Sequence, residues 1–415
     1  MSPQLASPVS LTERADILDV LRGFALMGVL LDNLFAFTGW GFYTQPMREA
    51  LPTWPADGIL GLLELAFVNG KFYSLFSLLF GVGFSIILIR NEQRGINPLK
   101  IFYRRLFILL LIGVFHLRFL WEGDILFLYA SLGMFLPLFR KCSDKALLIW
   151  AAALIASPIL FDAVKVLLQV KTGAFLEAMA AKVDARTGLP GDDGWRQFLF
   201  KDSSGCKEWR IWQSSGWLYR YAYIIESNRI PKVLGMFLIG FYVGRKMMYL
   251  QPENYVSLFK KIKKWGLIIG IPTGIGLAAC EAFGKQIPHP LGLAQTTLYA
   301  FSVVPLSLAY TSWLCLYWVK TKGNTRWKLL APLGRMALTI YIMQTLLGIF
   351  LFYGVGLGWG GHIGPAVFFP IAIGMYLFQI AFSHFWFRYF NYGPLEWIWR
   401  QLTYWKKLPL RKEHR

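Results

Sequence analysis

Charged side chains are scarce in this sequence, and their scarcity argues against a soluble domain. Asp, Glu, Lys and Arg make up 16% of the 415 residues, and hydrophobic residues make up 56%. A soluble domain carries about 25% charged residues. Because many apolar runs reach the length of about 17 residues that crosses a bilayer, we predict an all-α, polytopic transmembrane bundle of about 10 spans.

The sequence also lacks the motifs of several enzyme classes. It contains no GxxxxGK[ST] loop, no HExxH helix and no GxSxG turn, which argues against a P-loop ATPase, a zinc protease and an α/β-hydrolase. Its four cysteines show neither CxxC nor Cys/His spacing, so we expect no metal site. We expect no tightly bound cofactor either.

The basic residues that are present follow a pattern. The net charge is +20, and most Lys and Arg lie in the C-terminal tail and in the loops after the second, fourth, sixth and eighth predicted spans. Short cytoplasmic loops retain Lys and Arg during insertion, so both termini are predicted to be cytoplasmic. These residues suit anionic lipid headgroups at the cytoplasmic face, and we expect no nucleic acid binding.

The distribution of apolar runs predicts three regions. Residues 1–168 form an N-terminal membrane half with spans 1 to 5, and residues 229–415 form a C-terminal half with spans 6 to 10 and an interfacial tail. Residues 169–228 between them are polar, balanced in charge and rich in Trp and Tyr. This composition predicts an extracytoplasmic segment with amphipathic helices on the membrane surface.

The sharpest cluster of polar residues lies between predicted spans 3 and 4. His116 falls near the outer end of span 3 and Asp124 opens span 4 after a tight turn, so the two side chains are predicted to lie close together. An Asp beside an imidazole orients it and stabilises its protonated form, which makes His116 a candidate catalytic base and Asp124 its partner. Alternatively, His116 bonds a backbone carbonyl and Asp124 only caps span 4. Trp121 and Glu122, in the same turn, are candidate substrate-binding residues.

Ionisable and amide side chains within other predicted spans are candidate binding residues, because such groups are costly in hydrocarbon. Near the inner surface, Arg22 and Arg335 are candidates to bind phosphates, and Asp19 shares a helix face with Arg22. The alternative for Asp19 and Arg22 is a structural ion pair. Capping, anchoring at the interface and bonding between helices are the alternatives for three further candidates, Asn33, Lys71 and Gln344.

Six blocks of this sequence resemble one family of membrane proteins. Those in the first half are similar to the YeiB-like proteins, and those in the second half to domain-of-unknown-function family 418. The blocks are residues 17–33, 69–85, 104–133, 229–245, 332–346 and 392–405. They occur in the family's order over nearly the whole chain, so the resemblance indicates membership.

The family is grouped by similarity with multi-span acyltransferases, including the lysosomal enzyme that acetylates heparan glucosamine. The resemblance implies transfer of an acyl group from cytoplasmic acyl-CoA, such as acetyl-CoA, to a small-molecule or glycan acceptor at the outer face. Arg22 and Arg335 would then attract the CoA phosphates. The heparan enzymes are thought to use a His in the outer loop after span 1, but residues 41–70 contain none, so His116 in the block H-x4-W-x-GD takes its place.

A different class of function fits the same buried residues. Buried Arg, Asp, Gln and His also form substrate pathways and proton relays in transporters, so an exporter of a small molecule without its own ATPase is the alternative. The two halves show no internal repeat, whereas many transporters have one. An uncleaved multi-span chain of this family suits a bacterial inner membrane.

Overall fold

The computed structural model describes residues 15–189, 199, 206–281 and 287–412, and within these ranges it is helical, with one isolated β-bridge between Phe390 and Arg411. The predicted all-α class is confirmed for this part of the chain. The α-helices, numbered in chain order, are α1 (Asp16–Phe37), α2 (Gln45–Glu49), α3 (Ala56–Phe67), α4 (Lys71–Gln93), α5 (Pro98–Phe115), α6 (Leu126–Gly133), α7 (Asp144–Leu168), α8 (Ala174–Thr187), α9 (Cys206–Glu226), α10 (Arg229–Arg245), α11 (Val256–Glu281), α12 (Pro290–Lys320), α13 (Ala331–Arg335), α14 (Ala337–Phe352), α15 (Pro365–Tyr389) and α16 (Pro394–Tyr404).

Five helical segments in the described residues are long and apolar enough to cross a membrane: α1, the consecutive pair α3 and α4, α7, α12 and α15. Arg326–Arg335 and α14, which meet at 84°, form a sixth if they count as one span. These helices support a membrane protein, while ten spans and two cytoplasmic termini stay predictions. Other predicted spans fall on helices that are short or charged: α6 has 8 residues, α10 has 17, and α5 carries Lys100, Arg104 and Arg105.

The first helix, α1, lies at the centre of the bundle. Its residues Val20, Ala25, Leu30 and Leu34 are buried, and it contacts α4, α13, α14 and α15. A helix that is apolar on most sides is expected in the interior rather than at the lipid surface. Because α1 packs among helices from the end of the chain, residues of both predicted halves share one core.

At several helix contacts among the described residues, the backbones approach so closely that a side chain would not fit. A Cβ atom on Gly81 of α4 would overlap the Phe237 carbonyl of α10, and one on Gly334 of α13 would overlap the Asp19 carbonyl of α1. Glycine therefore lets the two backbones pack directly. The second contact places Arg335 beside the N-terminal half of α1, which carries Arg22.

The predicted extracytoplasmic segment contains two packed helices, α8 and α9. Residues 190–198 and 200–205 of that segment lie outside the described residues. α9 buries Ser215, Leu218 and Ala222, and it also contacts the turn that follows α5. This contact places α9 over the turn that contains His116.

Candidate functional site

His116 and Asp124 lie in contact at the end of α5. The helix ends in a π-helical turn, His116–Leu120, and a short loop then leads to α6. The His116 Nδ1 atom is 2.9 Å from Asp124 Oδ1. The exposed fraction is 0% for His116 and 1% for Asp124. The tight turn expected from the sequence thus brings these two side chains together.

The other ring nitrogen of His116 contacts a residue that sequence reasoning missed. Nε2 lies 2.9 Å from the hydroxyl oxygen of Thr345 on α14. With Nδ1 protonated and donating to Asp124, Nε2 accepts a hydrogen bond from the Thr345 hydroxyl. The ring therefore bonds two side chains rather than a backbone carbonyl. Asp124, His116 and Thr345 are termed the Asp–His–Thr series.

Asp124 also caps α6. Its Oδ2 atom accepts a hydrogen bond from the Phe127 N–H at 2.7 Å, while Oδ1 faces His116. The capping contact and the His contact are therefore present together. Because both oxygens are held, the carboxylate keeps one orientation toward the imidazole.

Aromatic rings close the space around His116. The Tyr341 ring centroid is 5.2 Å from the imidazole centroid, and the Tyr341 hydroxyl accepts a hydrogen bond from the Ile125 N–H at 3.3 Å. The Trp121 ring stacks on Phe37 of α1 with centroids 4.1 Å apart. Trp121 is thus a packing contact between α1 and the turn. The enclosure lowers the local dielectric and strengthens the interactions within the Asp–His–Thr series.

Helix α9 packs over this turn. Glu122 accepts hydrogen bonds from Trp212 Nε1 at 3.1 Å and from Gln213 Nε2 at 2.7 Å. Arg118 donates to the Gln213 carbonyl at 2.8 Å. Glu122, a predicted binding residue, therefore holds α9 on the turn. A pocket of about 500 Å³, termed the outer pocket, lies beside these contacts. Its lining includes Arg118, Lys207, Trp209 and Arg210.

A second space, termed the inner cavity, is bordered at one end by Tyr341. Its volume is about 560 Å³, and residues of α1, α4, α5, α14 and α16 contribute to its walls. Six arginines and two carboxylates among the described residues line it: Arg22, Arg90, Arg94, Arg105, Arg335, Arg400, Asp19 and Glu396. Apolar and aromatic side chains form much of the remaining wall, among them Leu26, Val29, Phe76, Leu79, Phe80, Leu109 and Tyr129.

Two of these arginines are positioned by aromatic rings. The Arg105 guanidinium lies 4.0 Å from the centroid of the Trp399 ring, and the Arg335 guanidinium lies 4.2 Å from that of Phe387. The Trp399 Nε1 atom also donates to the Arg105 carbonyl at 2.9 Å. Guanidinium groups that are already ordered lose less side-chain entropy when they bind an oxyanion.

Helix α16 holds the start of α14 in place. Glu396 accepts hydrogen bonds from the N–H groups of Leu338 at 2.7 Å and Thr339 at 3.1 Å. Burial raises the pKa of the Glu396 carboxyl, and the hydrogen bonds from Thr339 and Leu338 oppose that increase. The capped helix start fixes the position of Tyr341 and Thr345 further along α14.

Three candidate binding residues, Asp19, Arg22 and Gln344, make the structural contacts that were considered as the alternative to ligand binding. Asp19 and Arg22 form the ion pair, with Arg22 Nη1 2.7 Å from Asp19 Oδ1, and both line the inner cavity together with Arg335. Gln344 does not line it. Its Nε2 atom donates to the Leu26 carbonyl of α1 at 3.2 Å, a bond between helices.

Lys71 and Asn33 lie outside both spaces. Lys71 is buried, and its ammonium group donates to a backbone carbonyl of α3 at 2.7 Å near Glu64 and Asp32. Asn33 is half-buried on α1, while the neighbouring Asp32 accepts a hydrogen bond from Asn69 at 2.8 Å. The structure thus separates these two candidates from the residues around His116.

Comparisons with known proteins identify the family of this chain, and the names of the matched proteins state no reaction. The family described as "Protein of unknown function (DUF418)" matches residues 243–406. The chain is 31% identical over 413 residues to "Uncharacterized protein YxaH" of Bacillus subtilis (strain 168), with 98% of each protein covered. It is 30% identical over 429 residues to "Uncharacterized protein YeiB" of Escherichia coli (strain K12), covering 94% of this chain and 96% of that protein. No solved structure matches the chain.

Proposed function

Since this chain belongs to the YeiB-like family that contains domain of unknown function 418, we propose that it is an integral membrane acyltransferase. Its substrates would be acyl-CoA from the cytoplasm and a small-molecule or glycan acceptor at the outer face. The observation that supports this proposal most is the inner cavity, which combines a cationic end with an apolar interior that reaches the neighbourhood of His116.

The cationic end of the cavity suits phosphates. Arg90 lies in the last turn of α4 and Arg94 directly follows that helix. Arg22 comes from the first half of α1 and Arg105 from the first half of α5, and all four line the same space. Guanidinium groups bind phosphate oxygens through pairs of parallel hydrogen bonds. Among the described lining residues arginines outnumber carboxylates, so this end favours the phosphates of CoA over a neutral ligand.

The rest of the cavity suits a slender acyl-carrying arm. Along α4 it extends from Arg90 to Tyr73, which corresponds to about 25 Å at the helical rise per residue. At the far end Tyr341 lines the cavity and also contacts His116. An extended pantetheine arm would therefore bring its thioester to the ring that separates the cavity from His116.

The reaction needs a base for the acceptor's proton. His116, oriented by Asp124, would receive the proton released when the acceptor hydroxyl or amine is acylated. The carbon–sulfur bond of the thioester breaks, and the CoA thiolate leaves with that proton. The acceptor would approach from the outer pocket, where Arg118, Lys207 and Arg210 favour an anionic group.

The proposal includes a topology of ten spans with both termini in the cytoplasm. It also places the protein in a bacterial inner membrane. That topology would place the arginines of the inner cavity on the side where acyl-CoA is found, and α9 on the outer side. Helix α16 would lie on the inner leaflet, since it exposes Ile398 and Leu402 four residues apart and Trp405, which directly follows the helix, is also exposed. The lysines that follow it would contact anionic lipids.

Filling the inner cavity tests the proposal. Gly83 of α4 lines the cavity, and a Cβ atom there would meet no other atom within 4 Å. We expect Gly83→Leu to raise the Kd for CoA about tenfold or more, because the new side chain occupies the space of the arm. Gly374→Leu on α15 is the matched control, since a Cβ atom there also meets nothing within 4 Å and Gly374 does not line the cavity.

Calorimetric titration of the purified protein in lipid nanodiscs measures both affinities. Weaker binding in Gly83→Leu alone supports the proposal. Equal affinities in the two variants, or no CoA binding by the unsubstituted protein, would contradict it.

Export of a small molecule is the second candidate function. The 84° angle between Arg326–Arg335 and α14 favours it, because transporter sites are often built where a helix is broken. Substrate counterflow in liposomes distinguishes the two functions. Counterflow that survives His116→Ala, in a protein that does not bind CoA, would replace acyl transfer by export.

A further inference from the structure

The Asp–His–Thr series has the arrangement of a nucleophile with its base. In that arrangement a hydroxyl lies within hydrogen-bond reach of an imidazole whose other nitrogen is held by a carboxylate. Here Thr345 Oγ1 is 2.9 Å from His116 Nε2, and His116 Nδ1 is 2.9 Å from Asp124 Oδ1. We propose that Thr345 is a nucleophile that carries the acyl group between CoA and the acceptor, an inference that rests on the proposed acyltransferase function.

Direct transfer of the acyl group from CoA to the acceptor would need His116 Nε2 to take the acceptor's proton. This nitrogen already bonds the Thr345 hydroxyl. When Nδ1–H of His116 donates to Asp124, Nε2 is the basic nitrogen, and it faces the Thr345 hydroxyl. An acceptor could reach Nε2 only after that hydrogen bond has broken. Activation of the Thr345 hydroxyl needs no such rearrangement, because the proton is already directed at the base.

The Thr345 hydroxyl is held by the imidazole more closely than by its own helix. A threonine inside a helix commonly bonds the carbonyl four residues before it, as Thr311 does to Ser307 at 2.8 Å. The corresponding distance from Thr345 Oγ1 to the Tyr341 carbonyl is 3.5 Å, longer than its 2.9 Å contact with His116. The contact with His116 is therefore the shorter of the two, and it is the contact that a nucleophile needs.

Thr345 lies one helical turn beyond the inner cavity. Leu338 and Tyr341 line the cavity, and Thr345 follows on the same face of α14. The Tyr341 hydroxyl has two long hydrogen bonds, 3.3 Å from the Ile125 N–H and 3.5 Å to the Gly123 carbonyl. In the proposed transfer this ring rotates, breaking these two hydrogen bonds and its ring contact with His116, so that the thioester can reach Thr345.

Two balanced steps describe the transfer. First, Thr345 Oγ1 attacks the thioester carbonyl and its proton passes to His116 Nε2; the carbon–sulfur bond breaks, and the CoA thiolate takes that proton. The product is an ester on Thr345 and free CoA. Second, the acceptor hydroxyl or amine attacks the ester, and His116 takes the acceptor's proton and returns it to Thr345 Oγ1 as the ester bond breaks. The acylated acceptor leaves, the Thr345 hydroxyl is restored, and no oxidant or reductant is needed.

Detection of the ester is the direct experiment. The full-length protein in nanodiscs is incubated with acetyl-CoA and no acceptor, quenched in acid, digested and analysed by mass spectrometry. We expect an acetyl group on Thr345 and a burst of CoA thiol that matches the amount of protein. Thr345→Ser should keep the acetyl group, and Thr345→Val should lose it while binding CoA with unchanged affinity. Thr311→Val, which removes a hydroxyl from α12, is the matched control and should be acetylated on Thr345 normally.

Steady-state kinetics complete the test. With a nucleophile on the enzyme, initial rates follow a ping-pong pattern, and Thr345→Val lowers turnover about 10³-fold or more. Acyl transfer without the ester and with a sequential pattern, or undiminished transfer by Thr345→Val, would overturn the role of Thr345 and leave the acyltransferase function standing. Absence of both CoA binding and thiol release would overturn the function itself.

Discussion

Tyr341 lines the inner cavity and contacts His116 of the Asp–His–Thr series, and these two regions are built in opposite ways. The cavity is wide and cationic, with ordered guanidinium groups such as that of Arg105 around about 560 Å³ of space. The series is enclosed, and both nitrogens of its imidazole are already bonded to side chains. Under the proposed function, the inner cavity would supply binding and the Asp–His–Thr series would supply chemistry, with Tyr341 between them.

Helix α14 connects the two regions. Its first turn is held by Glu396, its second turn carries Tyr341, and Thr345 follows one turn later. The chain bends by 84° before α14, and α14 packs against α1 as well as α16.

Removing the imidazole of His116 is expected to have the largest effect on acyl transfer. His116→Ala is expected to lower acyl transfer by about 10²- to 10⁴-fold while CoA affinity stays unchanged, because His116 does not line the inner cavity. Thiol release from acetyl-CoA in the presence of an envelope extract measures transfer, and calorimetry measures affinity. His384→Ala on α15 is the control, and a loss of transfer in both variants would argue against a specific role for His116.

The second-largest effect is expected for the stability of variants on α4, where Gly81 faces a packed helix and Gly83 faces open space. Gly81→Ala places a Cβ atom against the Phe237 carbonyl, so we expect a loss of about 1–3 kcal/mol in the free energy of unfolding. Gly83→Ala meets open space, and we expect no loss. Denaturation in detergent, followed by Trp fluorescence, measures both. Equal destabilisation would mean that the space beside Gly83 is not open.

The charge of the cavity can be tested at Arg105. Arg105→Gln is expected to weaken CoA binding about tenfold and to reduce its dependence on salt, because a charge-assisted contact to phosphate is lost. Arg140→Gln, at an exposed arginine that does not line the cavity, is the control. Transfer of an already bound acyl group should be unaffected in Arg105→Gln. A change in transfer with no change in affinity would reverse the roles assigned to the two regions.

The smallest effect is expected at the contact that joins α16 to α14. Glu396→Ala removes the acceptor of the Leu338 and Thr339 N–H groups, which should lower the free energy of unfolding by about 0.5–2 kcal/mol. Glu253→Ala, an exposed carboxylate, is the control and should change little. An unchanged stability in Glu396→Ala would show that α14 keeps its position without the contact from α16.

Local sequence signals predicted the parts of the site that lie close together along the chain. The pairing of His116 with Asp124 follows from one tight turn, and the pairing of Asp19 with Arg22 follows from helical spacing. Family membership and the helical, membrane-type character of the chain are also confirmed. Each of these depends on composition, on spacing within one helix or on similarity over the full length.

Contacts between distant parts of the chain could not be predicted from local sequence signals. Thr345 lies 229 positions from His116, and nothing in the sequence around it distinguishes it from a threonine that bonds its own helix. The stacking of Arg105 on Trp399 joins α5 to α16 and could not be derived from either segment alone. Trp121 and Glu122 are close to His116 as expected, but tertiary packing decides that they contact Phe37 and α9.

The position of a bound acyl chain tests most directly whether the inner cavity is the donor site. An acyl-CoA with a photoreactive diazirine at the end of its acyl group is cross-linked to the protein in nanodiscs, and the adducts are located by mass spectrometry. We predict adducts on residues that line the apolar part of the cavity, such as Phe76, Phe80 and Tyr341, and we predict that excess CoA abolishes them. Adducts confined to the exposed surface of α15, at Leu377 and Phe385, and insensitive to CoA would contradict the assignment.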